Sequence, residues 1–206
     1  GAHYVRDLLE QDYNFVSFHA QGLGDRAVED LVGQGLFEGF VDMVPANLGE
    51  LLLGGNRASG PDRLEAACHQ GIPYILTPCG FDMISCGPID RKDKGDPLWI
   101  SRKLAERKML VQDAMRVQAR TSPEEVRTIA RAVAEKLNKH RRKELVKFVI
   151  PTRGFSSLSV EGGALYDPDT DKAFVDELRK NLAPEIQMIE VATHINTPEF
   201  AQAVAE

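Results

Sequence analysis

Residues 15–28 read Phe15-Val16-Ser17-Phe18-His19-Ala20-Gln21-Gly22-Leu23-Gly24-Asp25-Arg26-Ala27-Val28. Phe15 to Phe18 have the composition of a short strand. The turn from His19 to Gly24 leads into a helix from about Asp25, with Ala27, Val28, Leu31 and Val32 as its apolar stripe. Strand, glycine turn and helix in that order form the opening of a βαβ unit. Gly22-x-Gly24-x-x-Ala27 also has the spacing of a phosphate-binding turn, in which glycine admits the ligand and the helix start offers unpaired N–H groups. A tight turn that holds no phosphate has the same spacing. Asp42 follows about 20 residues on, where a dinucleotide site has its ribose-binding acid, but it stands inside a strand rather than at its end.

The alternation continues along the chain. Strands are expected at 40–44, 73–77, 145–150 and 186–191, with Val117-Gln118-Ala119 a further short candidate. Helices are expected after Pro45, from Pro61 to Gly71, over 97–108, from Ser122-Pro123-Glu124-Glu125 to about Asn138, from Asp169 to about Leu182, and from Thr197 onward. Residues 83–96 read as irregular. Alternating strands and helices imply right-handed crossovers, hence a Rossmann-like three-layer α/β sandwich with a mostly parallel sheet. An amphipathic helix over residues 3–12 comes before any strand, so the sheet's first strand is expected upstream of residue 1 or from a partner. Residues 1–206 are expected to form a single domain.

Composition narrows the function classes. Lys and Arg total 25 against 31 Asp and Glu, for a net charge of −6, which argues against a nucleic-acid partner. The basic run from Lys136 to Lys143 closes a helix, where cations suit the dipole. Cys68, Cys79 and Cys86 show neither disulfide nor zinc spacing, so a cytoplasmic location is expected. No apolar run reaches the roughly 18 residues that a membrane span needs.

In open α/β sheets ligands bind beyond the carboxyl ends of the strands. The sequence concentrates glycine and polar groups there: His19, Gly22, Gly24 and Arg26; Asp82; Arg153 and Gly154; His194 and Asn196. Arg153 is a candidate carboxylate or phosphate clamp. His19 and His194 are candidate acid–base groups, and no spacing supports a metal site. Cys79 reads as a buried thiol, and Ser156-Ser157 lack the Gly-x-Ser-x-Gly context of a nucleophile elbow.

Several segments together resemble one family. His19-Ala20-Gln21-Gly22-Leu23-Gly24-Asp25-Arg26-Ala27-Val28-Glu29 resembles its Phe-His-Ala-Thr-Gly-x-Gly-Gly-Arg-Ala-Met-Glu segment, and Gly60-Pro61-Asp62-Arg63-Leu64-Glu65 matches a Gly-Pro-Asp-Arg-Leu-Glu stretch. Asp82-Met83 to Gly87-Pro88, Thr121 to Glu125, Pro151 to Ser157, Tyr166-Asp167-Pro168 and His194-Ile195-Asn196 follow in the expected order. The chain is thereby identified as similar to the tobamovirus-resistance-protein-like (uncharacterised protein family 0261) group. The resemblance implies a two-domain protein of which this chain is the C-terminal Rossmann-like half, with ATP as ligand. It departs at Asp25, where a second glycine is usual, and at Gln112-Asp113, where His-Asn is common.

The resulting expectation is a nucleotide-binding domain completed by an N-terminal domain, with Mg²⁺ bridging phosphate to Asp25 and Asp82, and assembled as a homo-oligomer. The alternatives are an enzyme on a small phosphorylated or carboxylated metabolite, with His19 or His194 as general base, and a protein-interaction module.

Overall fold

A computed structural model describes all 206 residues. Four strands form a parallel sheet: β1 (Phe40–Asp42), β2 (Tyr74–Leu76), β6 (Val146–Pro151) and β7 (Gln187–Val191), in the order β1-β2-β6-β7. The sheet is covered on one face by α2 (Leu23–Gly33), α4 (Ala66–Gln70), α6 (Pro123–Leu137) and α7 (Pro168–Asn181), and on the other by α1 (Ala2–Leu9) and α8 (Pro198–Ala205). Side chains alternate between these faces. Tyr74, Leu76, Phe148 and Ile150 enter the larger core, while Val41, Ile75, Val149 and Ile189 meet Val5, Phe200 and Val204. This is the mostly parallel α/β sandwich that the sequence predicts.

Two features depart from expectation. A second sheet of three antiparallel strands, β3 (Met83–Gly87), β5 (Arg116–Arg120) and β4 (Met109–Asp113), in the order β3-β5-β4, starts in the stretch read as irregular and takes in the short strand candidate Val117-Gln118-Ala119 as part of β5. The helix expected over 97–108, α5 (Pro97–Ser101), stops early, and Lys103 lies in the left-handed region. Residues 15–18, expected as a strand, pair with no other strand. Phe18 finds its burial against the Phe37 ring instead, in an edge-on contact at 5.9 Å, and Val16 stays exposed.

The helix expected from Pro61 is also shorter, because another element caps it. Glu29 of α2 accepts from the Leu64 and Ala66 N–H groups at 2.7 and 3.0 Å, so the helical turns begin only at Ala66. By contrast α6 starts as read. Ser122 caps it, Glu125 returns to the Ser122 N–H at 2.8 Å, and Pro123 takes the first position.

Phe174 of α7 fixes the exits of the two central strands. Its ring lies 5.4 Å from Phe81, 6.1 Å from Phe148 and 5.7 Å from Phe155, so the loops after β2 and β6 rest on one buried aromatic cluster. The last large element, α3 (Ala46–Leu53), leaves β1 and packs on α6 and β3.

Candidate functional site

The carboxyl ends of the parallel strands are bound to one another in sequence across the sheet. Thr77 after β2 donates its N–H to Asp42 O at 3.2 Å and its hydroxyl to Met43 O at 2.8 Å. Asp82 accepts from the Ser156 hydroxyl at 2.5 Å, which ties the β2 exit to the β6 exit. Arg153 donates its N–H to Thr193 O at 3.0 Å and Gly154 O accepts from Ile195 at 3.4 Å, which joins β6 to β7. Asp82, Arg153, Gly154, His194 and Asn196 thus fall on one edge.

They differ in what they offer a ligand. Asp82 is fully buried, with Gly80 N–H and Ser156 Oγ on its two oxygens. Arg153 is exposed and its guanidinium makes no ion pair. Gly154 sits at φ +130°, and a Cβ there would lie 3.0 Å from Val160 Cγ1, so the loop itself requires glycine. His194 is half-buried and its Nδ1 accepts the Asn196 N–H at 3.2 Å, which leaves Nε2 as the protonated nitrogen of the neutral ring. Asn196 Oδ1 accepts from the Gly1 nitrogen at 2.7 Å.

His19, Gly22, Gly24 and Arg26 form a second group. They do not follow a strand of the sheet, since residues 15–18 are unpaired. A Cβ on Gly24 would lie 1.9 Å from His19 O, so this glycine lets the turn close on itself. The backbone donors are mostly engaged internally: Gly22 N–H to Asp25 Oδ2 at 2.8 Å, Leu23 to Gln21 O, and Arg26 to Gly22 O. Asp25 is buried and faces Arg63, so it caps its own helix rather than facing solvent. Burial raises its pKa, against the pull of Arg63.

An open cleft of about 360 Å³ lies at the start of α2. Gln21, Gly22, Leu23 and Arg26 line one side, and Asn56, Arg57 and Ala58 the other. The Arg26 and Arg57 guanidiniums have no carboxylate partner, and Leu23 is 82% exposed. Asn47 of α3 positions the second side by donating to Arg57 O at 2.9 Å. Sequence reasoning missed Asn56 and Arg57, since no spacing joins them to residues 21–26.

Asp42, a candidate ribose acid by position, is buried. It accepts from Tyr74 Oη at 3.3 Å and from Arg63 Nη2 at 2.5 Å, and Arg63 also meets Glu29 at 3.0 Å and Asp25 at 3.3 Å. A second buried pair, Arg120 and Asp171 at 2.5 Å, joins β5 to α7. Desolvation pushes Asp171 up to about 7 despite Arg120. Cys79, read as a buried thiol, is half-buried, and desolvation raises its pKa above the ordinary range. No three His, Cys, Asp or Glu side chains are grouped so as to hold a metal, and no helix is long and apolar enough to cross a membrane.

Comparison with known proteins agrees with the sequence resemblance. A UPF0261 protein of Clostridium tetani is 33% identical over 208 residues, covering 100% of this chain and 49% of that protein. A UPF0261 protein of Brucella melitensis is 33% identical over 197 residues, covering 95% of this chain and 44% of its own length. The ToMV resistance protein Tm-1(GCR237) of Solanum lycopersicum is 32% identical over 201 residues, covering 97% of this chain and 25% of its own. The chain therefore spans about half the length of these bacterial relatives, consistent with an additional domain in them. The family described as Uncharacterised protein family (UPF0261) C-terminal domain matches residues 1–206, and the chain belongs to that family.

Proposed function

We propose that this domain contributes the phosphate-holding part of a nucleotide site, with ATP as the ligand, and that the remainder comes from the additional domain of the full-length protein. The observation that carries the reading is the cleft at the start of α2, which Arg26 and Arg57 both line, neither in an ion pair with a carboxylate. Two guanidiniums free of direct ion pairs suit the oxygens of a polyphosphate. Gln21 and Asn56 supply hydrogen-bonding groups, and exposed Leu23 gives an apolar surface for a base.

Exposed Arg153 and half-buried His194 lie at the β6 and β7 exits, open to the rest of the ligand or to the second domain. Asp25 and Asp82 have their carboxylates engaged inside the protein, so any Mg²⁺ that accompanies ATP would be held by phosphate and water. The reading assigns no bond-breaking step.

Titration of the chain with ATP, ADP and AMP tests it. Affinity should fall with each phosphate removed and with rising salt, because the contacts are ionic. Equal affinity for all three, or none for any, counts against the proposal.

A further inference from the structure

The outer strand of the antiparallel sheet, β4, has no partner on one side. Arg120 donates its N–H to Lys108 O at 2.9 Å, and Met109 stands opposite Ala119. Hydrogen-bonded and non-bonded pairs alternate along an antiparallel ladder. Lys108 and Leu110 therefore face β5, while Met109 and Val111 turn their N–H and C=O groups toward the open edge. Val111 is 50% exposed, and Met115 at the hairpin tip is exposed as well. An open edge with an apolar side chain is a template for another strand.

The edge is complementary to itself. In an antiparallel pairing of two copies with Leu110 on the two-fold axis, Met109 of each copy faces Val111 of the other, so the outward backbone groups meet as hydrogen-bonded pairs. In the same register Leu110 faces Leu110 and Lys108 faces Gln112; the next charged groups out, Arg107 and Asp113, are held within the chain by Glu125 and Arg116. No like charges stand opposite, and the apolar Leu110 pair on the axis, flanked by Met109 and Val111, favours the register. A two-fold contact of this kind closes on itself and does not propagate into a fibre.

We infer that β4 is an interface at which a second copy of this chain adds to the antiparallel sheet by strand pairing across Leu110. This rests on the second sheet alone and is independent of the nucleotide reading.

Sedimentation velocity of the chain over a wide concentration range, together with hydrogen exchange, tests the inference. Expected is a monomer–dimer equilibrium in which the Met109 and Val111 amides become protected as dimer forms. Val111→Pro removes an outward N–H that β5 does not use, and proline is tolerated at such an edge. Leu110→Lys sets two cations across the axis. Each variant should stay folded by circular dichroism and weaken dimerisation about tenfold or more, as the loss of one or two hydrogen bonds or a like-charge contact would. A monomer at every concentration, or a dimer that both folded variants leave unchanged, overturns it.

Discussion

Arg63 Nη2 lies 2.5 Å from Asp42 Oδ2, and through this contact a residue with almost no exposure joins the edge strand β1 to the start of α4. The same guanidinium reaches Glu29 and Asp25 on α2, so one cation holds three carboxylates together in the interior. Removing it leaves those carboxylates buried without a counter-charge. Arg63→Ala is expected to cost about 3–5 kcal/mol in a denaturant titration. Arg63→Lys should recover little, because an ammonium cannot reach three partners in the fork geometry of a guanidinium. A loss under about 1 kcal/mol for Arg63→Ala would show the network to be dispensable.

The turn before α2 predicts a contrast between two glycines. An alanine at Gly24 puts its Cβ against the His19 carbonyl, and the turn must open to admit it. At Gly33, in the last turn of α2, a Cβ meets nothing within 4 Å. Gly24→Ala should destabilise the chain by about 1–3 kcal/mol, and Gly33→Ala should stabilise it by about 0.5–1 kcal/mol. Thermal unfolding of both variants checks the sign, and a neutral Gly24→Ala contradicts the packing account.

Glu50 predicts a pH dependence. It is buried in α3, accepts the Ser85 N–H at 3.0 Å, and is pushed by burial from 4.5 to about 7. A carboxyl whose folded pKa is raised favours folding in its protonated form. Its contribution is full below about pH 4.5 and is lost as pH rises toward 7. The full change amounts to about 3 kcal/mol. Unfolding measured from pH 5 to 8 should therefore slope downward more steeply in the parent than in Glu50→Gln, which cannot ionise. Identical slopes would mean that Glu50 titrates normally.

The parallel sheet was legible because its strands are apolar runs that end at proline or polar exits. Val146 to Pro151 is buried along most of its length, as Leu145 to Ile150 suggested. Of the antiparallel sheet only Val117-Gln118-Ala119 in β5 was legible, and its partners were hidden for a different reason. Met83 to Gly87 pairs with Arg116 to Arg120, 30 to 37 residues away, and both strands carry polar residues, Ser85 and Gln118, that satisfy each other inside at 3.0 Å. Residues 15–18 misled because strand composition says nothing about whether a partner edge is at hand. In the candidate site, Gly22, Gly24 and Arg26 were visible as a motif. Arg57 was not, because only the folded chain, with Asn47 of α3 holding the Arg57 carbonyl, brings it to the cleft that Arg26 lines.

In the proposed nucleotide site Arg26 and Arg57 form one phosphate subsite. Calorimetric titration of Mg-ATP into the chain, its Arg26→Ala, Arg57→Ala and double variants, and an Arg153→Ala variant tests this most directly. Expected are weak binding by the parent chain, a loss of about tenfold for either Arg26→Ala or Arg57→Ala, and a double variant that loses less than the sum of the two. Arg153→Ala should lower affinity less than either. An affinity unchanged in the Arg26→Ala, Arg57→Ala double variant, with the fold intact by circular dichroism, would contradict the claim.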